Sequence, residues 1–343
     1  MILADKFYTL TPAAQGAELK TMAVAALKSW GITAKGIDLI KIRENAVYKI
    51  TTTDGTRYAL RIHRPGYHTD AEIQTENYWM QALADYGIEV PILVPTTDNR
   101  YITTITVHNI PEARQVDLLE WIDAQPLGNF EEGLGSDTDG IRHSFRVIGT
   151  IMARMHNQSS AWSPRETLVR HAWDCDGLVG EQPFWGKFWE LEALSGDQRE
   201  LIRSMRNRIR DQLSQYDKGP EHYGFIHADL VVENILVSNG QVRVIDFDDA
   251  GFGWYLFDIA TVLYFFLDDP GYQLAYDALL SGYRSERELT DETLADLPLF
   301  LAARATTYLG WVHTRAETET AQELTRMIVE QACNYARTYL GNL

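Results

Sequence analysis

The segment "HADLVVENILVSNGQVRVIDFDD" (227–249) sets His227, Asp229, Asn234 and Asp246 among valine, isoleucine and leucine. Such neighbours predict burial, and a buried carboxylate is costly unless a cation, a metal or hydrogen-bond donors take up its charge. An acid such as Asp229 can orient an attacking hydroxyl and accept its proton. An amide oxygen at Asn234 and an acid twelve residues later, Asp246, can share one or two Mg2+ ions. Oxygen ligands suit this hard cation, and few are needed because waters and phosphate oxygens complete its shell. These groups fit phosphoryl transfer, in which a protein positions the reactants in line and balances charge.

The spacing sharpens that reading. H-x-D-L-x-x-x-N is the spacing of the protein-kinase catalytic loop, and Asp246 in "IDFD" stands where those enzymes carry D-F-G. A third match lies upstream, where "YALRI" parallels the strand motif V-A-I-K with Arg61 in the lysine position. Strand alternation places Ala59, Arg61 and His63 on one face and Tyr58, Leu60 and Ile62 on the other. The first face suits adenine lying over Ala59 with its phosphates reaching Arg61, whose planar fork grips phosphate. An acid partner for Arg61 is expected from the following helix, where Glu72 and Glu76 are both available. There is no glycine-rich loop. In its place stands "IRENAVYKI", in which Asn45 either meets phosphate through its backbone or simply forms a turn.

The elements that must hold these residues divide into two groups. "AELKTMAVAALKSWG" (17–31) has helical spacing and ends at Gly31. Strands are expected at "IDLIKIR", "AVYKITT" and "RYALRIH", the last two joined at Asp54-Gly55, with further strands at 100–107 and 115–122. A helix is expected over 70–87 between them. Beyond a boundary near residue 122 the chain becomes mainly helical, apart from a hairpin turning at Asn239-Gly240 and followed only by helices. An antiparallel sheet in residues 1–122 joined to a helical region in 123–343 is α+β architecture. A chain of 343 residues exceeds the usual single-core size, which also favours two lobes.

On these motifs the chain resembles the aminoglycoside phosphotransferase and choline kinase superfamily, small-molecule relatives of the eukaryotic protein kinases. The resemblance runs through "NAVYKI", "ALRIHR", "TENYW", "HADLVVENIL", "IDFDD" and "FDIA". It implies a bilobal protein-kinase-like fold, ATP and Mg2+ as cofactors, and phosphoryl transfer to a hydroxyl of a small molecule. It favours Glu76, in "TENYW", as the partner of Arg61. It places "LLEWI" between the lobes, so that backbone groups near Glu120 and Trp121 meet the adenine edge. His227 is then structural. Asp258, by position an N-cap of the apolar helix that follows, is given a structural role bracing the catalytic loop. Of Asp248 and Asp249, one replaces the D-F-G glycine and can touch a second metal or a substrate ammonium, and Asp249 is a candidate substrate residue.

The acceptor would fall to the carboxyl-terminal helices. Arg304, Tyr308, Trp311 and Arg315 form one helical stripe, opposite an apolar one of Leu301, Ala305, Leu309 and Val312. Two readings stand: a site holding a carboxylate on arginine and an alkyl or ammonium group on the rings, or an amphipathic surface in which arginine stems cover aromatics. Trp254, beside the metal-site strand, is either pocket wall or core. A net charge of −17 leans toward an amine-bearing acceptor and argues against nucleic-acid partners, which need lysine and arginine clusters. Candidate acceptors are an aminoglycoside, an amino alcohol or a hydroxy amino acid such as homoserine. Cys175 and Cys333 form no disulfide or zinc framework, and no secretory signal or membrane span is expected, which fits the cytoplasm. A Ser/Thr protein kinase of this superfamily is the alternative, but only eleven residues separate Asp246 from Asp258, too few for a long activation segment, and no A-P-E follows. A nucleotide-binding pseudokinase would be expected to lack Asp229, Asn234 or Asp246.

Overall fold

The computed structural model describes residues 7–42, 45–129, 132–238 and 241–341. It forms two compact units, Met1–Gln125 with Pro164–Val169, and Pro126–Ser163 with Arg170–Leu343. The first unit therefore extends slightly past residue 122 and regains a short segment from later in the chain. That segment is tied in by the Val169 amide, which donates to Thr75 Oγ1 at 2.9 Å.

In the first unit helix α1 (Pro12–Ala26) begins earlier than its apolar spacing suggests, because Thr11 caps it and Pro12 supplies a preset first turn. It tightens into a 3-10 turn and ends at Gly31, whose φ of 64° is costly for residues with a Cβ. Strands β1 (Ala34–Ile42), β2 (Ala46–Thr52) and β3 (Arg57–Ile62) follow, then helix α2 (Asp70–Asp85), then β4 (Ile102–Ile105) and β5 (Arg114–Glu120). The sheet order is β1-β2-β3-β5-β4, antiparallel throughout. Tyr48, Ile50, Leu60, Ile62, Val116 and Leu118 pack with α1 into one apolar core. The alternation of β3 leaves Arg61 and His63 on the other face, and both are buried.

The second unit is mainly helical. Its principal elements are α3 (Thr138–Ala161), β6 (Ala172–Trp173), α4 (Gly196–Leu213), β7 (Tyr223–Ile226), β8 (Ile235–Ser238), β9 (Gln241–Val244), β10 (Gly251–Trp254), α5 (Tyr255–Leu263), α6 (Tyr272–Arg284), α7 (Leu297–Thr314) and α8 (Glu319–Gly341). β8 and β9 pair antiparallel with Ser238 opposite Gln241; the turn expected at Asn239-Gly240 lies outside the described residues. The expectation of helices alone after this hairpin is corrected by β10, which lies between β6 and β7. Only a glycine fits at position 251, since a Cβ there would meet the His171 carbonyl oxygen at 2.7 Å. "GFGW" is also too short to display an alternation.

Helix α7 corrects the amphipathic-surface reading. Arg304 and Tyr308 are as buried as Leu301, Ala305, Leu309 and Val312 on the opposite stripe, because α7 packs against both α5 and α8. Among the described residues no helix is long and apolar enough to cross a membrane.

Candidate active site

In the first unit Arg61 is the centre of a buried charge network. Its Nε donates to Asp117 Oδ1 at 2.9 Å, and Nη2 donates to Asp117 Oδ2 at 2.5 Å and Glu76 Oε1 at 2.9 Å. Glu72, the other acid considered, closes a capping box with Thr69 at the start of α2. Asp117 is the residue that the spacing does not reveal: it lies directly opposite Arg61 in the β3–β5 register. His63 Nε2 donates to Asp117 Oδ2 at 3.1 Å. Burial alone would push the Asp117 carboxyl up, but Arg61 and His63 outweigh it and hold the group far below the usual carboxylate range.

This gives a stability prediction. Asp117→Ala removes the bidentate partner of Arg61 and leaves Glu76 as its acid, so the loss should be about 3 kcal/mol, the low end for breaking a buried pair. Urea unfolding of wild type and variant measures it. Because the folded carboxyl is held below its ordinary value, the contribution is complete above about pH 4 and disappears as pH falls further.

Asn45 Oδ1 accepts from the Arg64 amide at 3.1 Å, tying the start of β2 to the end of β3. Ala59 pairs with Leu119 in the sheet. The Glu120 and Trp121 amides do not remain available for adenine. They donate to the carbonyls of Ile92 at 2.8 Å and Arg57 at 3.2 Å, because strand pairing runs to the end of β5. These two N–H groups are thus engaged within the first unit. Lys49 lies over the Trp121 ring, 4.6 Å from its centre.

In the second unit the catalytic-loop sequence closes on itself. The Asn234 amide nitrogen donates to Asp229 Oδ2 at 3.0 Å and to the Asp229 carbonyl at 2.9 Å, so the oxygen of Asn234 is the atom that can ligate a cation. The Ile245 amide donates to the Asn234 carbonyl at 2.9 Å, which brings Asp246 next to this turn. Asp246 has a φ of 67°, an uncommon conformation that aspartate tolerates better than most residues. An amide oxygen and a carboxylate suit Mg2+. His227 donates from Nε2 to the Ile245 carbonyl at 3.1 Å, packs its ring 4.7 Å from Phe247, and accepts the Asp229 amide at Nδ1.

Asp258 is not an N-cap. It lies inside α5, whose cap residue is Trp254, and its carboxylate accepts from the His227 amide at 3.1 Å and the Ala228 amide at 2.7 Å. His156 donates to it from Nε2 at 3.1 Å and accepts the Tyr283 hydroxyl at Nδ1 at 2.8 Å. Burial pushes the His156 imidazole below its usual value despite Asp258, so the folded state keeps it neutral. Above about pH 6.5 the ring is neutral in both states; below it the unfolded chain gains a proton that the folded chain refuses. Stability should therefore fall on acidification below about pH 6.5, with a slope approaching about 1.4 kcal/mol per pH unit where the unfolded ring is protonated and the folded one is not. His156→Gln, followed by urea unfolding between pH 5.5 and 7.5, should flatten this dependence.

Arg170, which no motif singles out, fastens the stretch after Asp246. Its guanidinium donates to the carbonyls of Phe247, Asp248 and Ala250. Asp249 is buried, with Oδ1 accepting from the Trp185 indole at 3.2 Å and its carbonyl accepting from Trp173 at 2.8 Å. Trp254 is part of the core. It is fully buried, meets Phe300 edge to face, and donates its indole N–H to the Asp217 carbonyl at 2.8 Å. Arg315 and Arg304 flank Trp185 at 5.7 and 5.1 Å from its ring centre, and Arg315 also lies 5.3 Å from Trp311. Arg304 Nη2 donates to Tyr308 Oη at 2.7 Å and to Asp229 Oδ1 at 2.9 Å.

The antiparallel sheet of one unit, the helical second unit and the catalytic-loop spacing define the protein-kinase-like class of phosphotransferases. The model of the phosphotransferase enzyme family, APH, matches residues 39–291, and the chain belongs to this family as a kinase of small-molecule hydroxyls. A microcompartment-associated aminopropanol kinase of known structure is similar at 30% identity, with 94% of this chain and 98% of the other covered and a TM-score of 0.81. An amicoumacin kinase solved in complex with AMP-PNP, Ca2+ and Ami shares 21% identity over 94% of this chain and 95% of its own, with a TM-score of 0.75, and supports the fold. A homoserine kinase from Rhizobium meliloti is 25% identical over 84% of this chain and 79% of its own.

Proposed function

We propose that this kinase transfers a phosphoryl group from ATP to the hydroxyl of a small amine-bearing acceptor, an amino alcohol or hydroxy amino acid. The first unit takes the nucleotide through the face bearing Ala59 and Arg61, and the second takes the acceptor. The observation that carries this reading is the loop around Asp229, whose two carboxylate oxygens are each held by a donor, from Arg304 and Asn234. A carboxylate has further lone pairs, so one so held can still accept the acceptor's O–H, align its oxygen with the phosphorus, and take the proton as the new bond forms. Asn234 and Asp246 would hold Mg2+, which when bound offsets phosphate charge.

The amine preference rests on the buried Asp249 held by the Trp173 and Trp185 indoles, on the buried Asp248 next to it in the chain, and on the net charge of −17. Aminopropanol and homoserine, named for the similar kinases, both carry an amine near a hydroxyl. All three of Asp229, Asn234 and Asp246 are present, which disfavours a pseudokinase, and the short Asp246–Asp258 interval disfavours a protein kinase.

The test is ADP release with 1-amino-2-propanol, L-homoserine and an aminoglycoside, each beside a counterpart lacking its amines. An amine acceptor should exceed its counterpart by about tenfold or more in kcat/KM, since a site built for a polar group rejects analogues lacking it. Equal rates with neutral alcohols would overturn the amine preference.

A further inference from the structure

Arg304 is fully buried on α7 and reaches the catalytic loop with both arms of its fork. Nη1 donates to the Ala228 carbonyl at 3.0 Å, while Nη2 donates to Asp229 Oδ1 at 2.9 Å. The guanidinium is packed among Trp185, Phe257 and Tyr308, with ring centres at 5.1, 5.5 and 4.1 Å. Its side chain is completely covered while that of Asp229 is 25% exposed, so the arginine stands behind the carboxylate and away from solvent. A residue so placed meets Asp229 before it could meet an acceptor.

Ala228 gives this contact its purpose. Its φ is 63°, a left-handed conformation that an alanine adopts only when its surroundings impose it. Both of its peptide groups are held: Asp258 Oδ1 accepts from its N–H at 2.7 Å, and Arg304 donates to its C=O. Asp258 and Arg304 thus grip the residue that sets the direction of Asp229 from opposite ends. Asn234 holds the remaining carboxylate oxygen.

We propose that Arg304 is a positioning residue, which aims the Asp229 carboxylate at the acceptor hydroxyl and binds neither acceptor nor nucleotide. This rests on the phosphotransfer reading of Asp229 given above. It replaces the acceptor-binding role that the helical stripe suggests for Arg304. A bidentate donor is required because two separate acceptors, a backbone carbonyl and a carboxylate, must be fixed by one rigid plane.

The experiment compares Arg304→Met, Arg304→Gln and Arg304→Lys in the full chain, alone and combined with Asp229→Asn. ADP release is followed with 1-amino-2-propanol, with L-homoserine and with water as acceptor, and thermal midpoints check folding. Arg304→Met should lower kcat by about 10- to 100-fold while the KM values for ATP and acceptor stay within about twofold, because aim is lost and ground-state binding is not. Arg304→Lys, which keeps a charged donor, should recover part of the loss, and Arg304→Gln, with a single neutral donor nitrogen, serves if the methionine variant does not fold. In the Asp229→Asn background the further effect should be below about twofold, since residues acting through one group are not additive. A raised acceptor KM with unchanged kcat would overturn the proposal in favour of acceptor binding. A fall of equal factor in both backgrounds would overturn it in favour of a general role in folding. If neither amine is turned over while water still gives ADP release, the amine reading fails but the Arg304 comparison still decides its own question.

Discussion

Replacing Asp246 with asparagine or alanine is expected to abolish measurable turnover, a loss of about 10³-fold or more, and to weaken Mg·ATP binding. The two substitutions separate cause from strain. Asp246 adopts a φ of 67°, which asparagine tolerates almost as well as aspartate and which costs more for alanine. The asparagine variant therefore keeps the backbone and loses only the charge, and if the carboxylate is a metal ligand it should be nearly as inactive as the alanine variant. Calorimetry with a non-hydrolysable ATP analogue, with and without Mg2+, reads the binding loss. Wild-type turnover in Asp246→Asn would sink the assignment of Asp246 to the metal.

The second large effect is at Asp229. Asp229→Asn should reduce kcat by about 10²- to 10⁴-fold, the usual range for removing a general base. The geometry also indicates what should survive. The asparagine oxygen can still accept from Arg304, so the buried guanidinium retains a partner. Asn234 keeps its bond to the carbonyl of residue 229, so its amide need not turn and its oxygen stays available to the metal. Mg·ATP affinity should remain within about threefold of wild type, measured by the same calorimetry, because the residue holds neither nucleotide nor metal. Collapse of nucleotide binding with kcat intact would require the roles of Asp229 and Asp246 to be exchanged.

The limits of sequence reading follow from which contacts are local. The α+β class, the β2–β3 hairpin and the close packing of His227, Asp229 and Asn234 are legible because each rests on residues a few positions apart. Asp117 is not, since its place opposite Arg61 depends on the register of strands 56 residues apart. Periodicity does show that Arg304 and Tyr308 share a face, but not what that face meets. The reading of Asp258 as a cap fails for a related reason: its position relative to an apolar run is local, whereas its hydrogen bonds go to amides 30 and 31 residues upstream. Arg170 resembles any surface arginine until the stretch 247–250 folds against it.

The contact between Arg304 and Asp229 spans 75 residues. During synthesis at roughly 5–20 residues per second, Asp229 would leave the ribosome about 4 to 15 seconds before the arginine that grips it. In that interval a newborn chain already carries every residue of the catalytic motif but lacks helix α7, which braces it. Competence would thus arrive only once α7 has emerged and docked, and a ribosome stalled before residue 304 would release a fragment with the motif intact and the brace missing.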